Sequence, residues 1–100
     1  MLKKFAGTIP VSIGTGGRKE VVERTIEVLG IKELIDHLVT ANDVDNHKPH
    51  PETFIKCAEL MNVEPKYCQV FEDGDYGIKA AKDAGMIVTD IRLHIEIRQR

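Results

Sequence analysis

Three acids broken by a glycine, Glu72-Asp73-Gly74-Asp75, follow directly on the apolar pair Val70-Phe71. Carboxylates at the end of a buried segment are costly to desolvate unless they are paired, hydrogen-bonded or bound to a metal. Glu72 and Asp73 are hard oxygen ligands of the kind Mg²⁺ takes in small number while keeping waters and substrate phosphate. Asp and Gly are equally ordinary in turns, so this pattern alone reads as a solvated turn.

Two other stretches carry complementary chemistry. Thr15-Gly16-Gly17 sets a hydroxyl and backbone N–H groups ahead of a helix N-terminus, an arrangement suited to phosphate oxygens, although by itself it also reads as a strand-to-helix turn. Lys48, between His47 and Pro49 in His47-Lys48-Pro49-His50-Pro51, is a compact cation able to neutralise a phosphoryl group. Loop lysines are ordinarily just solvated, but the flanking prolines stiffen this loop. Thr15 and Gly16 for phosphate, Lys48 for its charge, and Glu72 with Asp73 for a metal form one coherent set.

The elements that must position these groups alternate in type. Ile9 to Gly14 is a short β-branched strand pattern ending at the glycines. From Arg18 the period is helical, with Val21, Val22, Thr25, Ile26 and Leu29 on one face. Gly30 is placed to end that helix in the left-handed conformation, and the same punctuation returns at Met61-Asn62-Val63 and Ala84-Gly85-Met86. Between these stops lie a short strand around Leu38 to Thr40, a polar loop to His50, and a helix opened by Pro51 with Phe54, Ile55, Ala58 and Met61 on its apolar face. A strand Cys68 to Phe71, a small-faced helix near Tyr76 to Ala84 and a strand Met86 to Asp90 follow. Strands alternating with helices predict an α/β fold, a parallel sheet covered on both faces. In such sheets ligands bind outside the carboxyl ends of the strands, where all three candidate loops emerge. The tail from Ile91 to Arg98 alternates apolar and polar residues, the pattern of an edge strand, of a strand added to a neighbouring chain, or of a frayed end.

With 100 residues, 42 % of them hydrophobic, the chain has room for one compact domain and not two. A formal net charge of −2, with the signs interspersed, gives no basic field for nucleic acid or an anionic membrane. No apolar run approaches a membrane span, and Met1 to Phe5 is too short and charged for a signal peptide, so a cytoplasmic location is expected. Cys57 and Cys68 have no metal-like spacing and read as reduced, buried thiols. The histidines match no ligand motif: His37 reads as a packing residue, His50 as a residue at a helix start, and His47 as a lining residue of the loop.

Val11-Ser12-Ile13-Gly14-Thr15-Gly16, then Lys48-Pro49-His50-Pro51-Glu52-Thr53-Phe54, then Val70-Phe71-Glu72-Asp73-Gly74-Asp75-Tyr76-Gly77-Ile78-Lys79-Ala80-Ala81 with Ala84-Gly85-Met86, resembles the haloacid dehalogenase-like hydrolases, specifically their β-phosphoglucomutase-like and sugar-phosphatase branch. The resemblance covers roughly Ile9 to Arg92. It implies a Rossmann-like core over residues 1–92 with a tail at 93–100. It also implies that Thr15 holds the transferring phosphoryl group of a small phosphorylated substrate such as a sugar phosphate. Lys48 would neutralise that group, and Asp73, aided by Glu72, would bind Mg²⁺.

The departure from the family pattern is as informative. The family attacks phosphate with the first Asp of an Asp-x-Asp motif on an N-terminal strand, and no acid precedes Thr15 here. The resemblance therefore implies the carboxy-terminal part of a phosphatase or phosphomutase core, without its first central strand and cap domain, and with Met1 to Phe5 as the end of a helix. Such a core is expected to be inactive alone. The alternative is a non-catalytic phosphate- and Mg²⁺-binding or assembly module on the same scaffold. A phospho-accepting receiver domain would carry its acidic pair early and its lysine late, the reverse of the order seen. With the central strand missing, the strands Ile9 to Gly14 and Cys68 to Phe71 are expected either to pair directly or to associate with another chain, as a homo-oligomer or with a missing N-terminal segment.

Overall fold

The computed structural model describes residues 9–91. The alternating tail from Arg92 onward and the helix end expected at Met1 to Phe5 lie outside them. The order is β1 (Ser12–Gly14), α1 (Lys19–Leu29), β2 (His37–Val39), α2 (Glu52–Met61), β3 (Gln69–Glu72), α3 (Asp75–Asp83) and β4 (Ile87–Asp90). Single 3-10 turns at Lys32–Leu34, Ala41–Asp43 and Pro65–Tyr67 join them. Among the described residues no helix is long and apolar enough to cross a membrane.

Among the described residues all three helices stop as their sequence directs. Gly30 (φ 67°), Asn62 (φ 56°) and Gly85 (φ 81°) take the left-handed conformation. The next residue then donates back: Ile31 to Ile26, Val63 to Ala58 and Met86 to Ala81, at 3.1–3.3 Å. Each stop turns the chain toward a strand. Pro51 stands immediately before α2, its carbonyl accepting the N–H groups of Phe54 and Ile55.

The strands form two parallel ladders. β1 pairs with β2 in the register Ser12↔His37 to Gly14↔Val39, and β3 with β4 in the register Gln69↔Ile87 to Glu72↔Asp90. Of the two arrangements expected for the first and third strands, direct pairing is not seen: among the described residues β1 and β3 share no ladder. Gly14 shows what the other edge of β1 meets instead. Val11 and Thr15 bond toward β2, so in a parallel ladder the intervening Gly14 presents its carbonyl to the other edge, where the Lys48 side chain takes it.

Helix α2 joins the two halves. Phe54 and Ala58 belong to a core with Cys68, Val70, Ala80, Ala81 and Met86. Cys57, on the neighbouring face of the same helix, packs with Val39 and Val44. Ala80 and Ala81 are fully buried, and side chains this small let α3 lie close to its ladder. Both cysteines are free and buried, as expected, and burial raises the Cys57 thiol to about 11.

Two expectations about burial need correction. Phe71 is 41 % exposed, because Val70 turns into the α2–α3 core while Phe71 points to the opposite face of the ladder, opposite Thr89 in the register. On α1 only Ile26 is buried; Val21 and Leu29 are each 63 % exposed, so the apolar face is wider than the surface the described residues set against it.

Candidate functional site

The loops after β1 and β2 are tied together first. The Ala41 N–H donates to the Gly17 carbonyl at 3.0 Å, and the Lys19 N–H at the start of α1 donates to Asn42 Oδ1 at 3.0 Å. Asp43 closes a capping box with buried Thr40, accepting its N–H at 2.8 Å and its hydroxyl at 3.0 Å. These bonds, with Lys19 and Lys56 nearby, hold the Asp43 carboxyl below its ordinary value. One donor of the α1 N-terminus is thus already committed to Asn42.

Thr15 sits just beyond the end of β1. Its N–H donates to the Val39 carbonyl at 2.9 Å, and its Oγ1 accepts the Gly17 N–H at 3.1 Å, which leaves the hydroxyl hydrogen to donate elsewhere. Gly16 is exposed, with open space where a Cβ would stand.

Lys48 crosses from the loop before α2 to the ends of both ladders. Its ammonium donates to the Gly14 carbonyl at 3.2 Å and to Glu72 Oε2 at 3.1 Å, and lies 4.6 Å from the centre of the Phe54 ring. The Lys48 and Glu72 side chains are only 17 % and 14 % exposed. A cation held this way loses little by burial, since a carboxylate, a carbonyl and an aromatic face replace its water.

Glu72 is equally committed. Its Oε1 accepts the N–H groups of Asp73 at 3.0 Å and Gly74 at 3.2 Å, and its carboxylate lies against Gly77 at a point a Cβ would occupy. Desolvation pushes this carboxyl up, but the bond and charge of Lys48, followed by the two N–H groups, outweigh it and hold the group below its ordinary value. Asp73 next to it is exposed, and its carboxylate has no hydrogen-bond or ion-pair partner among the described residues.

The structure thus brings Lys48 and Glu72 into contact, sets Thr15 beside the Gly14 carbonyl that Lys48 holds, and leaves Asp73 open at the same end. Glu72, read from the sequence for a metal, is in addition the counter-ion of Lys48. Among the described residues no three His, Cys, Asp or Glu side chains converge into a ready-made metal cage. One free carboxylate backed by a second negative charge still fits Mg²⁺, which needs one or two carboxylates and fills its shell with water and phosphate. His50 caps the start of α2, accepting the Glu52 N–H at 3.1 Å, while His47 is exposed and His37 opens β2. A cavity of about 470 Å³ lined by Ile26, Ile35, Asp36 and His37 opens at the amino end of β2 and shares no residue with this cluster.

Three contributions escaped the sequence reading. Phe54, read as core, also backs the Lys48 ammonium; Gly77 makes room for Glu72; Asn42 caps a helix from a different loop. The glycine five residues after Glu72 was the one signal in plain view.

Comparison with known proteins gives the family. The family model described as "Haloacid dehalogenase-like hydrolase" matches residues 1–91. The chain is 43 % identical over 93 residues to the fructose-1-phosphate phosphatase YqaB of Escherichia coli (strain K12), covering 93 % of this chain and 50 % of that protein. It is 41 % identical over 78 residues to the validoxylamine A 7'-phosphate phosphatase of Streptomyces hygroscopicus subsp. limoneus, covering 78 % of this chain and 37 % of the relative. Among solved structures, a putative β-phosphoglucomutase from Thermotoga maritima superposes with a TM-score of 0.73 at 32 % identity, over 82 % of this chain and 38 % of that one. The chain spans half or less of the length of these relatives.

Proposed function

The chain belongs to the haloacid dehalogenase-like hydrolases, and from that footing we propose that its cluster is the phosphate- and Mg²⁺-binding part of a phosphatase or phosphomutase site for a small phosphorylated substrate. A sugar phosphate is the substrate class favoured by relatives named as fructose-1-phosphate phosphatase and phosphorylated carbohydrates phosphatase. The single observation that carries the reading is the Lys48 ammonium, held between the Gly14 carbonyl and Glu72 at the carboxyl ends of both ladders, one residue from Thr15. A phosphoryl group there would meet the Thr15 hydroxyl and the Gly16 backbone on one side and the Lys48 charge on the other.

Asp73, aided by Glu72, would hold Mg²⁺, which when bound supplies positive charge beside the phosphoryl oxygens. Glu72 directs the Lys48 ammonium, and the Asp73 and Gly74 N–H groups keep Glu72 in place. These residues bind, orient and neutralise. The attacking carboxylate is not among them, since no acid precedes Glu20 in these hundred residues. This stretch alone should accordingly bind phosphate and Mg²⁺ without turning over a substrate. A phosphate-release assay of the 100-residue chain with Mg²⁺ and sugar phosphates should stay at background. Turnover that Asp73→Asn abolishes would contradict the absence of the nucleophile.

A further inference from the structure

Glu52, the first residue of α2, does not touch the cluster, yet it ties down the loop that carries Lys48. Its Oε2 accepts the Asp45 N–H at 2.8 Å; its Oε1 accepts the Asn46 N–H at 3.3 Å and the Asn46 side-chain amide at 3.1 Å. Its own N–H donates to His50 Nδ1 at 3.1 Å, and the His50 N–H donates to the His47 carbonyl at 3.0 Å. The segment is therefore clamped on both sides of Lys48 by a single residue set on a rigid helix. That matters because a lysine is a flexible stem whose freedom must be lost before its charge acts at one place.

We propose that Glu52 is a positioning residue for Lys48, clamping the 45–50 loop so that the ammonium is delivered between the Gly14 carbonyl and the Glu72 carboxylate. Its carboxylate is fully available as an acceptor: the Asp45 N–H above all, then Asn46 and Lys56, hold the group below its ordinary value against desolvation. A negative charge on the first turn of α2 also suits the helix N-terminus. The inference rests on the reading of Lys48 as the phosphate-neutralising cation, but the first measurement below is independent of that reading.

Proton–proton NOEs from the Lys48 side chain to the Phe54 ring report where the ammonium is, because Nζ lies 4.6 Å from the centre of that ring. Glu52→Ala should weaken these NOEs severalfold, and Glu52→Gln, which keeps one oxygen acceptor, should weaken them less. Lys48–Phe54 NOEs unmoved by Glu52→Ala overturn the inference. Inorganic phosphate affinity then separates this from the functional reading. Glu52→Ala should weaken phosphate binding about tenfold in the native background and leave it unchanged with Lys48→Met, as expected of a misplaced rather than a missing charge. Phosphate affinity insensitive to Lys48→Met would overturn the functional reading and leave the NOE result standing. Should Glu52→Ala fail to fold, Glu52→Gln carries both measurements.

Discussion

Lys48 and Glu72 meet where the two ladders end, Nζ 3.1 Å from Oε2, and the same nitrogen reaches the Gly14 carbonyl at 3.2 Å. The ends of β1 and β3 are thus joined by a side chain although the two strands share no ladder. The pair has two consequences. It contributes to holding the halves together, and it fixes the lysine side chain at the carboxyl end of the sheet.

Removing the cation should expose the first consequence. Lys48→Met leaves Glu72 charged and mostly buried, and breaking a buried pair from one side typically costs about 3–5 kcal/mol. This pair keeps some access to water, so a loss on the order of 1–3 kcal/mol is expected. Urea denaturation of the two proteins at pH 7 measures it; identical midpoints would mean that the contact is energetically idle.

The pH dependence follows from the sign of the Glu72 shift. Its folded value lies below its unfolded one, so the stability it contributes is present above the ordinary carboxylate range and is lost as pH falls through the folded value. Asp43, lowered chiefly by its bonds to Thr40, acts in the same direction. Urea midpoints should fall between pH 7 and pH 3, and Glu72→Gln should flatten that slope while lowering the plateau at pH 7. Parallel curves for the two proteins would show that Glu72 is not a source of the acid sensitivity.

Two glycines should respond differently. A methyl group on Gly77 collides with the Glu72 carboxylate, so Gly77→Ala should destabilise the fold by about 1–3 kcal/mol and release Lys48 from its partner. Gly16 has open space around it, so Gly16→Ala should change stability by no more than about 0.5 kcal/mol and act only on phosphate affinity. Thermal melts with and without phosphate distinguish the two; an equal loss of stability in both variants would contradict the placement of Glu72 over Gly77.

Much of this arrangement was legible in the chain. Helical period and left-handed stops marked α1, α2 and α3, because those signals are local to a few residues. The order Thr15, Lys48, Glu72-Asp73 at strand ends was equally plain, since an α/β alternation assigns each loop to an end of the sheet. Strand partners were not, because a run such as Val70-Phe71 has the same composition whether both faces are covered or one is bare. Nor could adjacency separate Glu72 from Asp73. The first turns in to Lys48 and Gly77 and the second stays in water, a difference set by backbone direction at the end of β3. Glu52 was hidden for a similar reason: its partners lie two to seven residues back in an irregular loop, where neither the helical nor the strand period applies.

Isothermal titration of inorganic phosphate with and without Mg²⁺ tests most directly whether this end of the sheet binds phosphate with Mg²⁺ through Asp73. Native protein should bind phosphate more tightly with Mg²⁺ present. Asp73→Asn, an exposed residue whose change should leave the melting temperature unmoved, should abolish that Mg²⁺ enhancement, and Lys48→Met should weaken binding with or without the metal. Phosphate binding that ignores Mg²⁺ and both substitutions, or no phosphate binding by the folded native chain, would contradict the assignment of this cluster.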